Sequence, residues 1–423
     1  MLATILGAYL LLLLAVNYGP VQEWLGREAA KMLSEKVGAP VEIGRAELGL
    51  FNKVTLHDVK MQDRDHRDML DAKWISGKIE IRPLLEGKVR LRSIGLLDAK
   101  VNLSKADADS PLNCQFVIDA FKKKEEGPSE LDLRINSLII RRVSVHYNQQ
   151  DTPRQPNRLD PRHLYVSDID ANLSLKRLTN DSIHLRVRSF SAHEQSGFDI
   201  KRLRMDLHAK KGYVHLARLL LELPQTRIEQ DEFTATFSES DIAGTLRLNT
   251  TLKNAIVSTD DIAPLVPRLA NLHETFTINT KLGLNPALLQ LTNLDLANAG
   301  KTFHVSGNFD LLRKGNGIGG IKADVGEMRI NRAFLSKAYT FATNAELPVM
   351  AARLGDVAFK GKAEWQNGGA THVAGDAETA LGNVKADVTF NGNDISGKAS
   401  TDRFALASLL DRSDLPDDLS VSI

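Results

Sequence analysis

The chain has 423 residues, more than one compact core normally serves. Its 54 Lys and Arg offset 53 Asp and Glu to a formal net charge of +1, which excludes a dedicated nucleic-acid binder resting on a basic surplus. The single cysteine, Cys114, excludes an internal disulfide framework and a multi-cysteine metal site, and 6% aromatic residues is little for stacking on sugars or bases.

The run Leu2–Val16 holds no charge and ends at Asn17, Tyr18, Gly19 and Pro20. It is at the short end for a spanning helix, which needs roughly 17–25 residues. A cleavable signal peptide would want a basic n-region and a small-x-small cleavage site, and neither is present. Residues 1–18 are therefore read as a transmembrane anchor, with a buried soluble helix as the plainer alternative. Glu23, Arg27, Glu28 and Lys31 nearly cancel, so charge gives no orientation. Over residues 19–38, Val21, Trp24, Leu25, Ala29, Met32, Leu33 and Val37 recur at three- and four-residue steps. Pro20 stands where a helix can start and Gly38 where one ends, so the spacing predicts an amphipathic helix.

Beyond Pro40 the period changes to two. Alternating runs at Lys100–Ser104, Leu131–Ile135, Arg142–Tyr147, Arg202–His208 and Ala386–Phe390 each predict a half-buried strand. Asn391-Gly392-Asn393-Asp394 reads as a hairpin turn between two such runs. Short helices are expected at Asn113–Lys124, Asp260–His273 and Asn331–Asn344, and a polar loop at Asp151–His163. Arg92–Leu96 followed by Ala99–Leu103 is echoed by Asn136–Ile140 followed by Val143–Val145, each reading as strand, bend, strand. So few helices cannot cover so many one-sided strands, so the apolar faces must bury one another in a sandwich or curl into a groove. The chain thus reads as mainly β: a transmembrane helix, then an elongated, repetitive, taco- or solenoid-like β-sheet groove with a few short helices.

Three motifs imitate chemistry. Gly315–Gly320 satisfies GxGxxG, but an alternating strand follows where a dinucleotide site needs a helix. Gly392–Lys398 approaches a P-loop, yet Ala399 stands where Ser or Thr must bind magnesium. Asp63–Asp68 has calcium-like acidity without the turn glycine and bidentate glutamate of an EF-hand. The eleven histidines make no HExxH, and no GxSxG is present, so no catalytic, metal or cofactor residue is assigned and the chain is not read as an enzyme. The basic stretch Lys201–Lys211 places its charges between Leu203, Met205 and Leu207. It reads as the wet face of a strand, with attraction to lipid headgroups at a groove rim as the alternative.

The N-terminal third carries an ordered succession of short phrases. They are Pro20-Val21-Gln22, Val37–Gly44, Leu50-Phe51-Asn52, Val54–Val59, Ile81–Lys88, Ile94-Gly95-Leu96 and Val101-Asn102-Leu103, with Asn113–Phe121 after them. In that order they resemble the N-terminal region of the TamB family, within the AsmA-like superfamily, over about residues 1–150. The resemblance implies a protein anchored in the inner membrane with its bulk in the periplasm. It implies a scaffold for outer-membrane biogenesis, in protein assembly and secretion and in phospholipid transport along an apolar β-groove. Its partners would be the inner membrane, phospholipid acyl chains and an outer-membrane barrel. Family members are far longer, so the chain reads as a truncated product in which the barrel-contact region is absent.

On this reading the domains are the anchor (1–18), the amphipathic helix (19–38), a first β module with a linker helix (39–127), a middle module (128–256) and further repeats with two short helices (257–423). The apolar strand face that would line the groove holds Val101, Leu103, Leu131, Leu133, Val143 and Val145, and further on Leu203, Met205, Leu207 and Val388. The competing class is a membrane-anchored adhesion or binding solenoid. It calls for regularly spaced exposed aromatics, which Trp24, Trp74 and Trp365 are too scattered to supply.

Overall fold

The computed structural model describes residues 15–16, 18–49, 53–79, 91–120, 133–314, 317–392 and 394–422. The expected anchor lies almost wholly outside these residues, as do Leu131, the far end of the expected helix at Asn113–Lys124 and the phrase Ile81–Lys88; the side chain of Leu133 is likewise not described. Among the described residues no helix is long and apolar enough to cross a membrane. The protein is mainly β, with twenty strands among the described residues. It divides into two compact units, 1–210 with 221–224, and 211–220 with 225–423.

In the first unit, helix α1 (Gly19–Val37) starts with Pro20 in its first turn and stops at Gly38, whose φ of 71° is the left-handed cap glycine accepts without strain. The expected helix is present, but its packing face is rotated from the one its largest apolar residues suggest. Gly26, Ala30 and Val37 are buried, while Trp24 and Met32 are 55% and 64% exposed. The reason is proximity: α1 lies so close to β1 (Val41–Leu48) that a Cβ on Gly26 would stand 2.8 Å from Arg45 Cα. Only small residues fit that contact. Ala30, Val37, Val41, Ile43, Val59, Met69 and Phe116 close a core there.

Strands β1, β2 (Lys53–Gln62), β3 (Asp68–Ile79) and β4 (Leu91–Lys105) run antiparallel in sequence order. The turn between β2 and β3 is tied by the buried Asp63, which accepts hydrogen bonds from the backbone N–H of Asp65 and Arg67 and from Arg67 Nε. This is the structural use of the acidic Asp63–Asp68 run. After α2 (Gln115–Ala120), β5 (Leu133–Gln149) returns parallel to β4, so the module boundary expected at 127/128 falls between two strands that pair directly. The two echoing segments are these neighbours: Ser93 pairs with Ser137, Ile94 with Leu138, Ala99 with Val143 and Val101 with Val145. The antiparallel run resumes through β6 (His163–Leu178), β7 (Ser182–Glu194) and β8 (Asp199–Lys210).

In the second unit, β9 (Tyr213–Glu222) and β10 (Arg227–Thr236) precede helix α3 (Ile242–Thr245) and β11 (Arg247–Ser258). The helix expected at Asp260–His273 is broken into α4 (Thr259–Ile262) and a 3₁₀ turn at Pro267–Asn271, since Pro264 and Pro267 remove backbone donors. Strands β12 (Thr275–Leu284), β13 (Leu288–Asn298), β14 (Phe303–Lys314) and β15 (Gly317–Ile330) follow as an antiparallel meander. Gly317–Gly320 of the GxGxxG match open β15, a strand where a dinucleotide site needs a helix, and the first two residues of the match lie outside the described residues. Helix α5 (Arg332–Thr343) keeps its expected bounds, because the Asn331 side chain accepts from Phe334 N–H at one end and Asn344 takes φ 56° at the other. Helix α6 (Val349–Arg353) precedes β16 (Val357–Gln366), β17 (Thr371–Thr379), β18 (Gly382–Asn391) and β19 (Asp394–Phe404). The last two form the expected hairpin, with Gly392 at φ 61° in its turn. Helix α7 (Leu406–Leu410) and β20 (Leu419–Ser422) complete the described chain.

Candidate functional site

Each unit carries an apolar strand face that persists through a kink, and that persistence breaks strict alternation. In the first unit the kink runs from strand to strand at one level. Asp58 on β2, Asp98 on β4 and Arg142 on β5 take φ near +50°, and the register places Lys73 of β3 between the two aspartates. The αL conformation is uncommon for such residues, and a residue held there bends its strand. Across each kink the spacing of inward residues is odd. Leu96 and Ala99 of β4, Ile140 and Val143 of β5, Val166 and Ile169 of β6, and Ile75 and Ala72 of β3 all join one apolar cluster. With a period of two such pairs would point to opposite faces. The kink slips the phase by one residue, so the strand stays apolar on the same side at both ends.

At the crease the residues are small and fully covered: Ala72 is 0%, Ala99 2% and Val143 3% exposed. On the opposite face the kink residues form a line of alternating charge. The Arg142 guanidinium makes two hydrogen bonds to the Asp98 carboxylate, one of 2.7 Å, and holds that carboxyl below the usual carboxylate range. Lys73 adds to the same effect. The kink also frees a backbone donor, and the next strand answers it: Arg142 N–H donates to Asp170 Oδ1 at 2.8 Å.

The second unit repeats the device with neutral side chains. Asn254 (φ 50°) donates its N–H to Asn279 Oδ1 at 2.7 Å, and Asn293 (φ 53°) donates to Asn308 Oδ1 at 2.9 Å. Register shifts fall at the same places, between Leu252 and Ala255 and between Leu291 and Leu294. Leu294, Val305 and Val325 are buried there, with Ile278, Leu291, Phe303 and Phe309 packed around them. Phe334 of α5 stacks on Phe303 with ring centroids 4.8 Å apart, which pins the helix to this apolar face.

The structure brings together three of the residues expected to line the face. Val143 is buried in the crease, with Val101 and Val145 against it as direct partners on β4 and β5. Leu203, Met205 and Leu207 lie on β8 opposite Phe190, Val187 and Leu185 of β7, and Phe190 packs against the same cluster. Their wet-side neighbours Arg202, Arg204 and His208 are exposed, as the alternation implies. Leu103 is half-buried on β4, and Val388 belongs to the second unit, opposite Val373 and Gly397. Apart from Val143, the described members of this set are only half-buried, so apolar surface remains open along the strands.

Sequence periodicity missed the inward residues beyond each kink: Ile75, Leu96, Ile140 and Val166. The signal was an odd gap between apolar residues flanking a charged one, as in Ile140–Val143 around Arg142. Comparison with family models, with curated proteins and with solved structures finds no match to this chain.

Proposed function

We propose that the chain is an inner-membrane-anchored, periplasmic scaffold of outer-membrane biogenesis that carries phospholipid acyl chains along its apolar strand face. The observation that carries this reading is the continuity of that face. Five neighbouring strands, β3–β7, contribute to one apolar cluster that runs past the kinks of β4 and β5, β8 continues the apolar row by its pairing with β7, and most of those residues are half-buried. An acyl chain lying there is shielded from water at about 0.8 kcal/mol per CH₂. A track of similar side chains lets it advance without one costly step, and no catalytic residue is required. The anchor and the periplasmic location are further parts of the proposal and rest on the resemblance of residues 1–150 to the TamB family.

The test is phospholipid retained per mole of purified, folded protein. Met205→Asp places a carboxylate on the apolar face, where desolvation against an acyl chain costs several kcal/mol, so retained lipid should fall sharply. Arg204→Asp changes charge by more but lies on the wet face and should retain lipid like the parent. Circular dichroism establishes that both variants fold. Equal lipid content in the two refutes the acyl-chain track.

A further inference from the structure

Seven histidines among the described residues face a carboxylate, for example His163 with Asp160 at 3.1 Å and His372 with Asp387 at 2.8 Å. His184 and His208 are placed differently. They are direct cross-strand partners on β7 and β8, both exposed, with ring centroids 5.7 Å apart. Cations gather around them. Arg177 is the partner of His184 on β6, Lys176 precedes it, and Arg186 follows on the same face of β7. The carboxylate on that face is Asp206, whose Oδ1 lies 2.7 Å from Arg186 Nε. Asp181 stands in the β6–β7 turn and Lys210 at the end of β8.

Like charges directly opposite one another across strands are destabilising, so this arrangement costs the fold something whenever the histidines are protonated. A bound anion converts that repulsion into charge-assisted hydrogen bonds. The position matters as much as the charge. Ser182 and Lys210 are the terminal pair of β7 and β8, so the histidine pair lies two residues, about 7 Å, from the strand ends. The other face of the same strands carries Leu185 opposite Leu207 and Val187 opposite Met205. An amphiphile with its chains on the apolar face reaches the histidines by bending over that short rim.

We propose that His184 and His208, with Lys176, Arg177 and Arg186, bind a phosphate group, and that the phosphate is the headgroup of a lipid whose acyl chains lie on the apolar face. The second half rests on the acyl-chain reading above; the first does not. Partial burial, and then His208, Arg186 and Lys176, hold the pKa of His184 below the ordinary histidine value. An anion offsets those cations, so binding raises that pKa and takes up a proton. Affinity therefore increases as pH falls through the histidine range.

The test uses the full chain in detergent with ¹³C-labelled histidine. Addition of inorganic phosphate should move the His184 titration midpoint upward, and His208→Gln should remove that shift. A second arm loads the protein with phosphatidylglycerol or with diacylglycerol of the same chains, at pH 6. The double variant His184→Gln, His208→Gln should lose about tenfold in phosphatidylglycerol affinity and keep diacylglycerol unchanged, since only the former carries the phosphate. A midpoint that phosphate does not move overturns the site. A moved midpoint with unchanged phosphatidylglycerol binding supports the site and overturns the lipid headgroup as its source, leaving a soluble phosphate. Equal loss of both lipids overturns phosphate recognition as the role of the pair. Retention of neither lipid by the parent protein defeats the acyl-chain reading alone, because the inorganic phosphate arm still decides the site.

Discussion

The substitution Ala99→Leu tests whether the two arms of the first unit's strands converge at the crease. Ala99 is 2% exposed, with Ala72 (0%) opposite it on β3 and Val143 (3%) beside it on β5. Leucine adds three carbons. If the crease is as tight as these exposures imply, the added volume forces off-rotamer packing at about 1–3 kcal/mol. If the crease has room, the same three carbons are buried at a gain of about 0.8 kcal/mol each. The two outcomes differ in sign. For a unit of roughly 200 residues, each kcal/mol moves the melting temperature by about 2–4 °C. The transition is read from Trp74, two residues from Ala72 on β3, in a Trp24→Phe, Trp365→Phe background. The neighbouring Lys100→Leu, on the exposed face of β4, should stay within about 0.5 kcal/mol of the parent. A melting temperature raised or unchanged by Ala99→Leu refutes the converging crease.

Two further predictions concern local architecture. Gly26→Ala should lower the melting temperature even though alanine favours helix by about 1 kcal/mol, because its Cβ would meet the Arg45 backbone at 2.8 Å; a rise would mean that α1 does not pack as described. Burial of Asp63 opposes its ionisation, but hydrogen bonds from the Arg67 backbone, Asn113 and the Arg67 side chain prevail and lower its pKa. A depressed carboxyl pKa stabilises the fold above the ordinary value of 3.8 and loses that contribution as pH falls through the folded value, so acid denaturation should begin below 3.8 for this group. Asp63→Asn should destabilise at pH 7 by about 1.5–3 kcal/mol, the value of hydrogen bonds to a charged group, and flatten that acid limb in urea titrations. An acid limb identical to the parent's would remove Asp63 from the account.

Much of this architecture was legible in the chain, and the gaps have identifiable physical causes. Period-two runs located β4, β5, β8 and β18 because those strands bury one face and wet the other. The bounds of α5 were legible because Asn331 and Asn344 are cap residues with local chemistry. The face of α1 was misjudged because hydrophobicity ranks Trp24 and Met32 above Gly26 and Ala30, whereas close approach to β1 selects for smallness. Nothing within the helix itself announces that approach. His184 and His208 were passed over for a similar reason. They are 24 positions apart by subtraction of their numbers, so no motif joins them, and only the antiparallel register of β7 and β8 makes them neighbours.

The kink brings these cases under one rule. A charged or Asn residue in mid-strand, such as Arg142, Asn254 or Asn293, reads in sequence as the end of one strand and the start of another. Folded, it is the point at which a single strand bends and its alternation slips by one. At Arg142, Asn254 and Asn293 three things come together: a residue held at positive φ, an Asx oxygen on the next strand that accepts the freed N–H, and compact apolar side chains inside the angle. Asp170, Asn279 and Asn308 supply the second, and Ala72, Ala99 and Val143 the third in the first unit. The odd gap across each kink is therefore the sequence mark of a strand that bends without changing which side it keeps dry. A periodicity search that allows one phase slip at such a residue joins Ile140 to Val143 and Leu291 to Leu294 from the sequence alone. It also extends the apolar face across the crease, where the acyl-chain proposal requires it to be continuous.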